Sequence, residues 1–191
     1  SAGYFRPAQD ARNIISIYPD GFLPIIAPTV KDFSMTGGVT WQIGDWDMDA
    51  SLGYGKNKME YTIENTLNRS LGPTSKTAFY AGGYSYDQAV LNLTGVRSVE
   101  MASFSSPLNV AVGIEARREG YELFAGEEQS YSFGGALLPN GTPTAPGAQV
   151  FPGFRPSNEV DAHRNAIGAF VDLEANVTPE LLASVAVRGE R

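Results

Sequence analysis

His163 is the single histidine of a 191-residue chain that has no cysteine. A lone imidazole without thiols cannot build a multi-ligand metal centre, and no nucleophile–base pair is readable around it. The lack of cysteine also removes disulfide scaffolds, thiolate zinc sites and cysteine nucleophiles, and leaves the redox compartment unread. Asp45-Trp46-Asp47-Met48-Asp49 opens like a calcium loop. Its sixth position is Ala50 where the loop needs Gly, and its twelfth is Lys56 where it needs Glu, so a solvated tight turn is the better reading. Gly53-Tyr54-Gly55-Lys56 lacks the glycine spacing and the Ser or Thr of a phosphate loop. Sequons begin at Asn68, Asn92, Asn140 and Asn176, and chance explains them in an Asn- and Thr-containing chain. What remains is a polar-aromatic set: Arg69, Tyr80, Tyr84, Tyr86 and Asp87. Such rings stack on sugars or flat chelates while the charged groups orient anions, and these five are the candidate ligand-binding residues. The competing reading makes them loop-packing or interfacial aromatics. No catalytic residue, metal or cofactor is expected, and the chain reads as a non-enzyme.

Fourteen Lys and Arg against 21 Asp and Glu give a net charge of -7 and a pI near 4.7. That balance argues against nucleic acid as a partner, since phosphates demand a basic face. The chain holds 21 Gly, 10 Phe, 9 Tyr and 2 Trp with only 18% charged residues, which suits Gly-punctuated, aromatic-rich strands. No apolar run approaches the roughly 20 residues of a membrane helix. Ser1-Ala2-Gly3 has no signal-peptide layout, and Arg191 closes what reads as an unfinished strand, so both ends are expected to be cut.

Residues 1–32 carry four Pro and little periodicity, and read as a loop-rich lead-in with a short extended stretch at Ile14–Tyr18. Period-2 alternation then begins. Phe33, Met35, Val39, Trp41 and Ile43 share one face, and after the Gly44-Asp45-Trp46 connection Met48, Ala50, Leu52 and Tyr54 do the same, making 33–57 a hairpin. Residues 58–86 form a long loop in which the apolar parity flips at Met59, Tyr61 and Ile63. Residues 87–124 are a second hairpin, with Leu91, Leu93, Val99 and Met101 in phase, Arg97 intruding on that row, and Leu108, Val110, Val112, Ile114 and Ala116 in its return strand. A second long loop, 125–162, holds five Pro. The last hairpin, 163–191, alternates from Ile167 to Val177, turns at Thr178-Pro179-Glu180, and alternates again from Leu181 to Val187. Thr178, Pro179 and Glu180 also make a respectable helix start, which competes with the final strand.

Short and long connections alternate: 44–46, 102–106 and 178–180 are short, 58–86 and 125–162 long. In an up-and-down antiparallel sheet all the short turns then sit on one rim. This is the pattern of a bacterial outer-membrane β-barrel, with short periplasmic turns, long extracellular loops and strands that are apolar outward and polar inward. The apolar rows of 33–43 and 163–177 contain no Asp, Glu, Lys or Arg, whereas Asp47, Asp49, Glu115, Arg117, Glu119, Asp172 and Glu174 lie on the opposite row. Trp41 and Tyr54 stand near the expected membrane boundaries. A soluble β-sandwich or small ligand-binding barrel alternates in the same way and stays open as the second architecture.

Several stretches, YPDGFLPIIAPTVKDFSMTGGV (18–39), YTIENTLNRSLGP (61–73), FYAGGYSYDQAVLNL (79–93), SPLNVAVGIEARREGYE (106–122), GAQVFPGFRP (147–156) and VDLEANVTPELLASVAVRGER (171–191), resemble TonB-dependent outer-membrane receptors. The resemblance spans nearly the whole chain in order. It implies a middle portion of a plugged 22-stranded barrel, without the plug or the TonB-contacting segment. The implied function is import of a scarce nutrient, a ferric siderophore, cobalamin or an oligosaccharide, in the outer membrane of a Gram-negative bacterium. Outer-membrane lipid, a small-molecule cargo and, through the absent N-terminal region, the TonB complex are the implied partners. The six strands fall short of the eight in the smallest single-chain membrane barrels, so the piece alone is expected to rearrange or oligomerise. The rival function is a soluble all-β ligand- or carbohydrate-binding module. A hydrolase would need a Ser/His/acid set that His163 alone does not support.

Overall fold

The structure is a computed structural model and describes residues 3–191. Six strands hydrogen-bond in chain order as one antiparallel up-and-down sheet: β1 (Ile25–Ile43), β2 (Trp46–Glu64), β3 (Phe79–Val99), β4 (Leu108–Phe124), β5 (Val160–Thr178) and β6 (Leu181–Glu190). The β1–β2 link is Gly44-Asp45, with Gly44 at φ 58°, where glycine avoids the Cβ penalty of a tight turn. Pro179-Glu180 joins β5 to β6. The local helix start at Thr178 yields to a 10-residue strand, because β5 offers a complete ladder and branched Val187 and Val185 face Val171 and Leu173 across it.

The strands run far into segments whose sequence reads as loop. β1 begins at Ile25, β2 continues to Glu64, and β3 begins at Phe79. The parity flip at Met59, Tyr61 and Ile63 therefore marks no end of pairing. It marks where the covered face of the strand changes: Ile63 is fully buried by residues from the long connections. At Ile14–Tyr18 the expected extended stretch is instead a set of tight turns, with Ile17 and Tyr18 N–H donating to Ile14 O at 2.9 and 3.0 Å. Asn13 holds them: its Nδ2 donates to Ala8 O and Tyr18 O, and its Oδ1 accepts from Ile14 N–H.

The chain divides into two compact units. The loop-bearing unit comprises residues up to Asp32, Asn57–Tyr86 and Tyr121–Ala162. It has two hydrophobic clusters. One joins Ile63, Phe79, Ala81 and Ala148, with Tyr61 and Phe151 against it; the other joins Ile14, Phe22 and Leu67, with Tyr18 stacked on Phe22 at 4.7 Å. Burying a ring such as Phe22 or Phe79 contributes about 1.5–3 kcal/mol each. Asn68 is fully buried and stitches the two long connections: its Nδ2 donates to Gln129 O and Ser132 O at 2.9 Å, and its Oδ1 accepts from Ser70 N and Oγ. That burial takes Asn68 out of reach as a glycan acceptor.

The turn-bearing unit comprises Phe33–Lys56, Asp87–Gly120 and His163–Arg191. Its sheet has two unlike faces. Phe33 lies 6.3 Å from Tyr54 between ring centroids, a Cβ on Gly95 would touch Met48 Sδ, and Val171, Leu173 and Ala175 pair with Val187, Val185 and Ala183. These contacts put all the apolar rows on one face. Met35, Val185 and Val187 are 66%, 63% and 68% exposed there.

Candidate functional site

The opposite face of the turn-bearing unit is polar and ion-paired. Arg117 meets Glu190 at 2.8 Å, Arg188 meets Glu115 at 3.2 Å and Glu190 at 3.1 Å, and Arg164 Nε donates to Glu119 at 2.7 Å. Ser98 Oγ reaches Asn109 Oδ1 at 3.0 Å, and Phe170 lies over Gly113, where no Cβ would fit. A shallow hollow of about 310 Å³ on this face is lined by Ser34, Thr36, Ser51, Gln88 and Asn92 among others. Its hydroxyl and amide groups offer both donors and acceptors, the chemistry of a wall that hydrogen-bonds water, protein or sugar.

Arg97, which interrupts the apolar row in sequence, is accounted for by the turn. Its guanidinium pairs with Asp45 of the β1–β2 link at 3.1 Å. Asp47 accepts from Gln42 Nε2 at 2.6 Å within a hairpin ladder, so the Asp45–Asp49 segment is extended strand beyond its two-residue turn. Gly53-Tyr54-Gly55-Lys56 is likewise interior to β2. Among the described residues no group of three or more His, Asp or Glu is placed to hold a metal ion.

In the loop-bearing unit the sheet carries a row of tyrosines. Tyr61 of β2, Tyr84 of β3 and Tyr121 of β4 succeed one another at 6.3 Å centroid spacing, and the Tyr84–Tyr121 planes are within 29° of parallel. Phe151 and Phe154 from the long β4–β5 connection pack edge-on against Tyr61, at 5.6 and 6.4 Å. The Tyr61 and Tyr84 hydroxyls both donate to Met59 Sδ, at 2.9 and 3.3 Å. A thioether takes those protons weakly and leaves the phenol oxygens as acceptors. Burial, and then the neighbouring Tyr84 hydroxyl, pushes the Tyr61 phenol above its ordinary range. Tyr121, at the end of the row, is 40% exposed.

The five sequence candidates separate. Tyr84 stands in this row. Tyr80 does not, because Gly82 at φ 85° breaks the alternation of β3 and turns Tyr80 to the other face. There its hydroxyl donates to Glu60 at 3.1 Å and its N–H to Glu127 at 3.0 Å. Burial and that carboxylate push the Tyr80 phenol up to about 12. Glu60 is a hub: Lys58 contacts it at 3.0 Å and Lys31 at 3.8 Å, and the Lys58 hydrogen bond leads in holding its carboxyl below the ordinary range. Tyr80 is thus committed to structure. Arg69 begins the turn at 69–74 and donates its Nε to Ala11 O at 3.3 Å, away from the tyrosine row. Tyr86 is exposed in β3. Asp87 falls in the turn-bearing unit, on the apolar face: a Cβ on Gly120 would sit 2.7 Å from its Oδ1 and 3.1 Å from His163 Nδ1.

Sequence reasoning missed Tyr61 and Tyr121. The signal was present, since each lies two or four places beyond a polar-row residue of its strand; reading 58–86 as loop hid it for Tyr61, while Tyr121 lay within the second hairpin. No protein-family model matches this chain, and no curated protein or solved structure matches it.

Proposed function

We propose that the chain is wall and outer loops of a TonB-dependent receptor in the outer membrane of a Gram-negative bacterium, importing a scarce nutrient such as a ferric siderophore, cobalamin or an oligosaccharide. One observation carries this reading. The turn-bearing unit leaves a face of large apolar side chains uncovered, interrupted in its rows by Arg97, while the reverse face of the same sheet is ion-paired. Water disfavours such a face, and monomeric soluble proteins rarely expose contiguous apolar patches beyond a few hundred Å².

The extent of the face supports lipid as its solvent. Its rows cover 33–43, 46–54, 108–116 and 167–177, each about 9–11 residues, the length a tilted strand needs to cross hydrocarbon. Trp41 and Tyr54 lie toward the ends of their rows, where amphipathic rings favour the interface. In the intact receptor the polar face lines the lumen and the tyrosine row of the loop-bearing unit takes part in capturing cargo. Energy enters through the TonB complex, contacted by sequence N-terminal to this chain. Cargo with ring faces, aromatic chelate or sugar, suits stacked tyrosines.

The tyrosine row also fits the second reading, a soluble carbohydrate-binding module. Expression of the intact gene with its own leader separates the two. An outer-membrane pool that only detergent releases, with loss of growth on one limiting nutrient upon deletion, is the expected result. A freely soluble periplasmic product overturns the receptor reading.

A further inference from the structure

Apart from Arg97, which pairs with Asp45 of the β1–β2 link, cations in the turn-bearing unit fall into two classes. On the polar face Arg117, Arg164 and Arg188 each meet a glutamate. On the apolar face, beyond the ends of the rows remote from the turns, Lys56, Arg118 and Arg191 have no carboxylate partner among the described residues. Within the turn-bearing unit the one carboxylate of those strand rows is Asp87, beside Gly120. In a chain of net charge -7, this edge of the unit's apolar face carries three cations against one carboxylate.

The cations also border a groove. Leu52, Ala89, Leu91, Ala116 and Ile167 form its apolar floor, small alanines between larger neighbours leave a furrow of about 440 Å³, and Arg118 and Arg191 stand at its rim. Arg191 is fixed there by reciprocal backbone hydrogen bonds with Ile167, at 2.9 and 3.0 Å. A floor that accepts methylenes beneath two guanidiniums is complementary to an acyl chain ending in a phosphate. Guanidinium forks bind phosphate bidentately, and basic residues at a membrane boundary attract anionic headgroups.

The geometry points to a specific lipid site here: one phosphate-bearing acyl lipid of the leaflet on the long-loop side, its chain in the furrow and its phosphate on Arg118 and Arg191. The site rests on the barrel-wall reading. An arginine that merely snorkels to water would take any headgroup; this site discriminates for phosphate that carries net charge.

The test uses the intact gene product extracted in dodecyl maltoside. Native mass spectrometry compares retention of phosphatidylglycerol with that of chain-matched, zwitterionic phosphatidylcholine. The expected result is preferential retention of phosphatidylglycerol, weakened about tenfold by Arg118→Gln with Arg191→Gln, and largely kept by Arg118→Lys. Arg188→Gln, on the other face and outside the groove, leaves it unchanged. Equal retention of the two lipids, or a double variant that holds phosphatidylglycerol as the parent does, overturns the site. Heat-modifiable gel migration checks assembly, and if the double variant is misassembled Arg118→Gln alone is read by the same criterion. A product absent from the outer membrane removes the barrel-wall reading and this site together; an outer-membrane product without headgroup preference removes only the site.

Discussion

The loop-bearing and turn-bearing units use the same strands and the same alternation, yet satisfy their apolar side chains in opposite ways. In the first, Ile63, Phe79 and Ala81 are sealed by Ala148, Val150 and Phe151 from the β4–β5 connection, and buried Asn68 binds that connection to its neighbour. In the second, Phe33, Met35, Leu91, Ile167 and Val187 are each more than half exposed. The unit that carries the long loops brings its own cover; the unit that carries the short connections leaves its apolar face open.

Val185→Arg is the substitution most able to break the comparison. At an exposed site in water it changes stability by no more than about 0.5 kcal/mol. Facing lipid near the middle of the bilayer it costs about 2–4 kcal/mol. Urea unfolding of the intact protein in phospholipid vesicles measures which holds, and a neutral result would place that face in water. The corresponding change in the other unit is Asn68→Leu. It strands the carbonyls of Gln129 and Ser132 and the N–H of Ser70, with an expected loss of about 2–3 kcal/mol. Hydrogen exchange sharpens the reading: amides of the two long connections should lose protection while β5 and β6 keep theirs.

Tyr121→Leu removes the open end of the tyrosine row. It should cost about 0.5–1.5 kcal/mol in cargo affinity through lost stacking, with little change in unfolding. Titration calorimetry with the nutrient identified by growth is the measurement; the same change at Tyr80, as Tyr80→Phe, should leave affinity intact, because Tyr80 serves Glu60 and Glu127.

The smallest effect expected is electrostatic. Glu60 has a lowered folded value, so its contribution is complete above its unfolded value near 4.5 and disappears as pH falls through the folded one. Tyr80 is raised to about 12, so its contribution is complete below its unfolded value of 10.0 and is lost as pH climbs through about 12. The phenolate difference spectrum between the parent and Tyr80→Phe should therefore show the missing titration near pH 12. A midpoint at 10 would place Tyr80 in water, detached from Glu60.

Much of the sheet was legible in the residues. Strict alternation at Phe33–Ile43 and Ile167–Val177, with turn residues between, gives strand type, face and order, because a period of two admits only one amphipathic arrangement. The candidate site was less so. Tyr84 and Tyr80 look equivalent four residues apart, and only the positive φ of Gly82 sends them to different faces. Arg97 looked like a flaw in its strand until the β1–β2 turn brought Asp45 to it.

By itself the sequence determined an all-β chain with one apolar row per strand, since side-chain periodicity is local and needs no partner. Tertiary structure alone decided which rows are covered, that the strands continue through the parity flip, and which tyrosines stand together. Those are matters of contact between residues distant in the chain, such as Tyr61 with Phe151, and alternation within one strand carries no information about what arrives on top of it.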